Sequence, residues 1–301
     1  MAPLVHGWKF LFSEYIEREH TMSQWMDGYV TTNGIKLHYY RTGGDKPQVV
    51  INHGAGDDGL CWTHVVRELE KDYDVIMTDA RGHGKSYSGK GDYSTQARVA
   101  DLAGLIDALK LDRPVVGGHS MGADTTMHLA ANHPQLARAI FLEDPPIIQP
   151  GETFGSGEQA IKMDDVGKMM ARFMRLFKLL PKFFGVRMAK KANPAYPDDE
   201  ILPWVDSKKR LSFNFLGSLP TMQMELSEPF ELIQKIPVPI LLFIGDKEKM
   251  SIVSKETAQQ AVSVNGKLQV VHLEGASHDI RRTRFDGFMP ALAKFLKVVY
   301  A

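Results

Sequence analysis

The chain has 301 residues, 36 Lys and Arg against 36 Asp and Glu, one cysteine and 44% hydrophobic residues. That length holds one large domain or two modest ones with ample core, and a formal charge of zero lacks the basic face of a nucleic-acid binder. With Cys61 alone there is no internal disulfide, no C-x-x-C redox pair and no cysteine-rich zinc site.

No apolar run approaches the roughly 18–20 residues that span a bilayer. Lys9, Glu14, Glu17 and Arg18 interrupt what would be a signal-peptide core, so a cytoplasmic location is the default expectation. Leu4, Val5, Trp8, Leu11, Phe12, Tyr15 and Ile16 recur on one face of a helix, which sets residues 1–27 apart as a helical extension. Such a helix packs on its own domain or docks on a partner. Few basic residues line its polar face, so a second subunit ranks above a membrane surface.

From Gly28 onward, short apolar runs alternate with helical patterns. Asn33-Gly34 supplies a turn before a strand at Ile35–Tyr40, and buried strands follow at Val49–Asn52, Val75–Asp79, Val115–Gly118 and Ala139–Leu142. Continuous β-branched runs separated by helices indicate an α/β fold with a parallel sheet covered on both faces. After Pro145-Pro146 the alternation stops. Val166, Met169, Met170, Phe173, Phe177 and Leu180 form a helical stripe that Pro181 ends, and a second helix starts near Asp198-Asp199 carrying Trp204, Leu211 and Phe215. Strands resume at Ile240–Ile244 and Leu268–Val271. The division is therefore a core of residues 28–147 and 227–301, with a helical insertion at 148–226.

Two glycine-rich motifs compete for the chemistry. Gly54-Ala55-Gly56-Asp57-Asp58-Gly59 reads G-x-G-x-x-G after a strand, with Asp79 about 20 residues on, where a dinucleotide fold places its ribose-binding acid. However, a strand already precedes this motif, whereas the fingerprint usually opens its domain. Gly118-His119-Ser120-Met121-Gly122 reads G-x-S-x-G between a strand and a helix, the context of a nucleophile elbow. Serine in so tight a turn needs small neighbours two residues to either side, which Gly118 and Gly122 supply.

A serine hydroxyl needs a histidine base, and the histidine a carboxylate, in the chain order Ser, Asp/Glu, His. His278, just past the strand Leu268–Val271, is the candidate base, and Asp246, just past Ile240–Ile244, is the candidate acid. Glu143 and Asp144 end another strand and are alternative acids; Glu248 is a remoter one. The oxyanion of acyl transfer needs backbone N–H donors. Met121, next after the serine, and Ala55, in the loop after an early strand, are the expected pair. The same glycines that imitate a phosphate cradle thus let backbone approach a carbonyl.

Taken together, His53-Gly54, Asp79-Ala80-Arg81-Gly82-His83-Gly84-Lys85-Ser86, Gly118–Gly122, Gly245-Asp246 and Gly275-Ala276-Ser277-His278 resemble the α/β-hydrolase superfamily. The resemblance covers about residues 28–147 and 227–299. It implies an eight-stranded, mostly parallel sheet with helices on both faces and a helical cap after the sixth strand. It also implies structural roles for Arg81 and His83, and that His119 packs beneath the nucleophile. Ser120 stands where dehalogenases and epoxide hydrolases of that family carry aspartate. Lys249 departs from the frequent G-x-x-D pattern after the acid.

The expected activity is a serine carboxylic-ester hydrolase for small to medium acyl groups, needing no cofactor and no metal. C–C hydrolase, lactonase and thioesterase share the triad, and a non-catalytic binding protein is the alternative of another class. Met and Phe of the cap suit an apolar pocket, while Arg172, Arg175 and Lys178 read as a solvated face. A homodimer would form through the N-terminal helix or the cap.

Overall fold

The computed structural model describes residues 25–149, 151–221 and 228–301. The expected N-terminal helix lies outside these residues. Met26 and Asp27 already belong to the first strand, so the core begins slightly before residue 28.

Eight strands form one sheet: β1 (Met26–Thr32), β2 (Ile35–Arg41), β3 (Gln48–Asn52), β4 (Asp74–Thr78), β5 (Val115–His119), β6 (Ala139–Glu143), and the two final strands Ile240–Ile244 and Leu268–His272. A two-residue-strand hairpin, β7 (Thr153–Phe154) and β8 (Ile161–Lys162), precedes those final strands, which are therefore β9 and β10. The sheet order is β1-β2-β4-β3-β5-β6-β9-β10. β1 and β2 pair antiparallel around the Asn33-Gly34 turn, and β2 meets β4 antiparallel. All remaining pairs are parallel. This is the expected eight-stranded, mostly parallel sheet. β1 was not anticipated, because Met-Asp-Gly-Tyr-Val-Thr-Thr is half exposed at an edge and has little apolar alternation.

The parallel strands are continuous apolar runs because both their faces are buried. Val50, Ile76, Val116, Ile140 and Leu242 pack on one side. Their neighbours Val49, Ile51, Val75, Val115, Phe141 and Phe243 pack on the other. Helices α1 (Thr63–Leu69), α2 (Thr95–Ala108) and α3 (Met121–Asn132) connect the early strands. From β3 the chain crosses to β4 on one side and then returns to β5 on the other. The strand order therefore reverses at the carboxyl ends of β3 and β5, the place where open α/β sheets form a crevice.

Between β6 and β9 lie α4 (Met163–Leu179), α5 (Lys182–Ala192), α6 (Asp198–Arg210), α7 (Phe213–Ser218) and, just before β9, α8 (Pro229–Gln234). α4 stops before Pro181, as its pattern requires. The single helix expected to carry Trp204, Leu211 and Phe215 is instead two. α6 ends at Arg210, and Ser212 Oγ accepts the Asn214 N–H to start α7. A serine cap there outweighs the continuing apolar period. The α4 stripe is also divided: Val166 and Phe177 are buried, while Met169 and Phe173 are substantially exposed. The chain closes with α9 (Lys255–Val264), α10 (Ile280–Thr283) and α11 (Phe285–Tyr300).

Candidate active site

Ser120 occupies the turn between β5 and α3 with φ 49° and ψ −114°, a conformation that side-chain-bearing residues rarely adopt. Space around it is minimal. A Cβ on Gly118 would lie 2.4 Å from the Gly122 carbonyl carbon, and one on Gly122 would lie 2.4 Å from Asn52 O. The two elbow glycines are thus required by backbone contact. The Ser120 N–H donates to Glu143 O (3.0 Å), which carries the parallel register past the end of β5.

His278 comes from the loop between β10 and α10, and its Nδ1–H donates to Asp144 Oδ2 at 2.6 Å. Asp144 follows β6 directly, with φ 43° and no solvent exposure. Its carboxylate also accepts from Ser251 Oγ (2.8 Å), Ile252 N–H (2.7 Å) and Val253 N–H (3.0 Å). The His278–Asp246 pairing that chain order suggests is not formed. Asp246 follows β9 as expected, but its oxygens accept His272 Nε2–H and the Gly275 N–H, both at 2.7 Å. Asp246 is one strand further from Ser120 than Asp144, and the end of β10 claims it first. Glu143, the other alternative, is bound to Arg281 through both the backbone N–H and Nη1, each at 2.8 Å.

Burial works against charge on His278, but the hydrogen bond and charge of Asp144, aided by Asp279 and Glu143, outweigh it. Its pKa therefore lies above the ordinary imidazole value. His119 behaves oppositely: burial, His278 and Arg281 hold it well below that value, so it is neutral. Its Nε2–H donates to the His278 carbonyl at 3.1 Å, and its Nδ1 is buried without a partner among the described residues. His119 therefore props the loop that carries His278.

Ser120, Met121, Ala55 and His278 all line one cavity of about 800 Å³ at the crevice. In the loop after β3 the Gly56 N–H is committed to His83 Nε2 (3.1 Å) and the Asp57 N–H to Gly54 O (3.1 Å). Of the four residues from Gly54 to Asp57, Gly54 and Ala55 are left as candidate oxyanion donors, and both line the cavity. The roof is apolar and adaptable, with Met163, Val166, Met170, Phe173 and Met174 from α4 and Trp204 from α6. Among the described residues two Lys or Arg side chains reach the lining, and both are neutralised. Arg98 bonds Asp124 (3.0 Å) and Lys208 bonds Asp57 (2.7 Å).

The dinucleotide alternative fails on Asp79. Its carboxylate is buried and accepts the Gly59 N–H (2.8 Å), the Lys85 N–H (2.9 Å) and His38 Nδ1–H (2.8 Å), so it shapes two turns and is closed to a ribose. Arg81 forms a two-pronged pair with Asp101, each bond 2.6 Å, in keeping with a structural role. Cys61 is buried, and burial pushes its thiol up, away from the reactive thiolate.

The doublet Arg281-Arg282, which belongs to no motif in the sequence, is fully buried. Arg282 bonds Glu200 on α6 (2.7 Å), Asp57 in the loop after β3 (2.8 Å) and Asp279 beside His278 (2.5 Å). Asp57, His119 and Asp279 also form the one group of three metal-type donors among the described residues. Arg282 and Lys208 already neutralise its carboxylates, which suits an ionic clamp better than a cation. Arg282→Met is expected to cost about 3–5 kcal/mol by stranding Glu200 and Asp279. Chemical denaturation measures this, with Arg284→Met, whose pair with Asp286 is exposed, as the near-neutral control. Equal midpoints for Arg282→Met and wild type would contradict the clamp.

Comparison with known proteins agrees with this architecture. A family model described as alpha/beta hydrolase fold matches residues 47–280. N-formylmaleamate deformylase of Pseudomonas putida is 27% identical over 281 residues, spanning 89% of this chain and 96% of its own. 2-(Acetamidomethylene)succinate hydrolase of Mesorhizobium japonicum is 23% identical, spanning 93% and 97%. A crystal structure of an E-2-(acetamidomethylene)succinate hydrolase superposes with TM-score 0.75 at 19% identity, covering 91% of this chain and all of the other.

Proposed function

The chain belongs to the alpha/beta hydrolase fold family, and on that footing we propose that it is a serine hydrolase cleaving esters of small to medium, uncharged acyl groups. One observation carries the reading: Ser120, held in a strained strand-to-helix turn, shares a cavity with His278, whose Nδ1–H is held by buried Asp144. In that arrangement Ser120 Oγ attacks the carbonyl while His278 Nε2 takes its proton. Asp144 fixes the ring's tautomer and stabilises the imidazolium. The N–H groups of Met121 and Ala55 receive the oxyanion. The alcohol departs with the proton from His278, and water repeats the sequence on the acyl-enzyme. Asp246 has no part in this and acts as a brace for the loop through His272 and Gly275. The helices α4–α7 act as a cap whose Met and Phe side chains bind the acyl group.

The named relatives act on N-formylmaleamate and 2-(acetamidomethylene)succinate, molecules that carry carboxylates. Here Arg98 and Lys208 are already paired with Asp124 and Asp57, so a substrate carboxylate would enter the cavity without a free Lys or Arg among the described residues. That favours uncharged esters over these anionic amides. A panel of nitrophenyl esters, a thioester, an enol lactone and N-formylmaleamate tests it by kcat/KM. Butanoate and hexanoate esters are expected to lead N-formylmaleamate by about a hundredfold or more, the cost of burying an unpaired charge. Turnover of N-formylmaleamate at the ester rate would refute the ester reading.

A further inference from the structure

The chain balances its charges overall, yet they are unevenly placed. Between residues 163 and 193, spanning α4 and α5, Lys and Arg outnumber Asp and Glu by eight to two. The same stretch exposes large apolar side chains: Met169, Phe173 and Leu176 along α4, Leu179 at its end, and Phe184 and Met188 on α5. Leu176 is 60% and Leu179 73% exposed, a cluster of a kind soluble surfaces seldom carry without use.

The two sets are ordered. Met169, Phe173 and Leu176 follow the i, i+4, i+7 period of one helical stripe, and Lys168, Arg172 and Arg175 follow the same period one residue earlier. A cationic stripe therefore borders the apolar one, with Lys168 paired to Asp165 (3.1 Å) at its N-terminal end and Arg172 and Arg175 carrying its charge. α5 repeats the design, with Phe184 and Met188 beside Arg187 and Lys191, all four exposed. Met169 and Phe173 also line the cavity that holds Ser120, so the apolar surface runs into the mouth of the site. No helix among the described residues is long and apolar enough to cross a membrane.

We propose that α4 and α5 dock this face on an anionic lipid surface, with the apolar stripe entering the acyl boundary and the flanking Lys and Arg meeting headgroup phosphates. The mouth of the cavity then opens toward the lipid. An apolar stripe rimmed by cations is the pattern of a helix lying in a membrane interface. A second copy of the chain fits the face poorly, because apposing two such surfaces sets cation against cation. Delivery of lipophilic esters from that surface rests on the esterase reading, whereas docking does not.

The test is cosedimentation of the 301-residue protein with vesicles of equal parts phosphatidylglycerol and phosphatidylcholine, and with phosphatidylcholine alone. Ser120→Ala is run in parallel and is expected to bind like wild type, which separates docking from catalysis. Binding is expected to favour the anionic vesicles and to fall steeply between about 0.1 M and 1 M salt, as the Debye length shrinks from about 10 to 3 Å. The exposed-site variants Leu176→Ser/Leu179→Ser and Arg172→Glu/Arg187→Glu should each lower partitioning by about tenfold or more, with melting temperatures near wild type. Absent binding, or equal binding to neutral vesicles, overturns the proposal. So does anionic binding that both face variants leave unchanged, because the site would then lie elsewhere, residues 1–24 included. A dimer in sedimentation velocity that Leu176→Ser/Leu179→Ser dissociates would assign the face to a second copy and overturn it as well.

Discussion

Ser120→Ala is expected to lower kcat by about 10⁶-fold, because no other group replaces the lost nucleophile. What survives should be the modest acceleration that oxyanion donors and substrate binding give on their own. The fold should not respond. Alanine keeps the Cβ already accommodated at φ 49°, and the close approaches at Gly118 and Gly122 involve backbone, not the hydroxyl. Loss of nitrophenyl-ester turnover with an unchanged denaturation midpoint is the expected result. Retention of more than a few per cent of the activity would mean that the nucleophile is another group or that turnover is adventitious.

The carboxylates furnish the second large effect. Asp144→Asn should reduce kcat by about 10⁴-fold, since an amide oxygen neither stabilises the imidazolium nor secures the productive tautomer. Asp246→Asn should leave kcat close to wild type, because that carboxylate meets His272 and Gly275 instead of His278. The pH profile distinguishes loss of the His278 partner from general damage. The base works when neutral, so activity in the wild type should fall as pH drops through the raised pKa of His278, above the reference of about 6.5. In Asp144→Asn the main raising influence disappears while burial remains. The acid limb of the residual activity should therefore move to lower pH. A full rate in Asp144→Asn together with a collapsed rate in Asp246→Asn would reverse the assignment.

Much of this was legible because it is written in contiguous residues. The apolar runs at Val49–Asn52, Val115–Gly118 and Ile240–Ile244 need no distant information to read as buried parallel strands. Gly118–Gly122 between a strand and a helix is itself a local steric solution. β1 leaves little trace in the sequence because an edge strand satisfies only one neighbour and tolerates exposed polar residues. The break between α6 and α7 leaves as little, because the Ser212 cap outweighed an unbroken apolar period. The Met and Phe stripe of α4 was visible, but not its division into a buried half and an exposed half, since the width of a contact depends on what packs against it.

Length, balanced charge and the lone Cys61 narrowed the protein to a globular chain, the alternation of apolar runs with helical patterns made it α/β, and local motifs singled out Ser120, His278 and the Gly54–Gly56 loop. Those residues answer to constraints within a few positions of themselves. Which carboxylate holds His278 was settled only by the tertiary structure. Strand order places β6 next to β5, a remote loop at Ser251–Val253 aims three donors at Asp144, and the end of β10 removes Asp246 from reach. The burial of Arg281-Arg282 was decided in the same way, because its carboxylates come from Asp57, Glu143, Glu200 and Asp279, spread over more than two hundred residues of chain. Charge pairing at that separation leaves no periodicity to read; it exists only once the chain has folded.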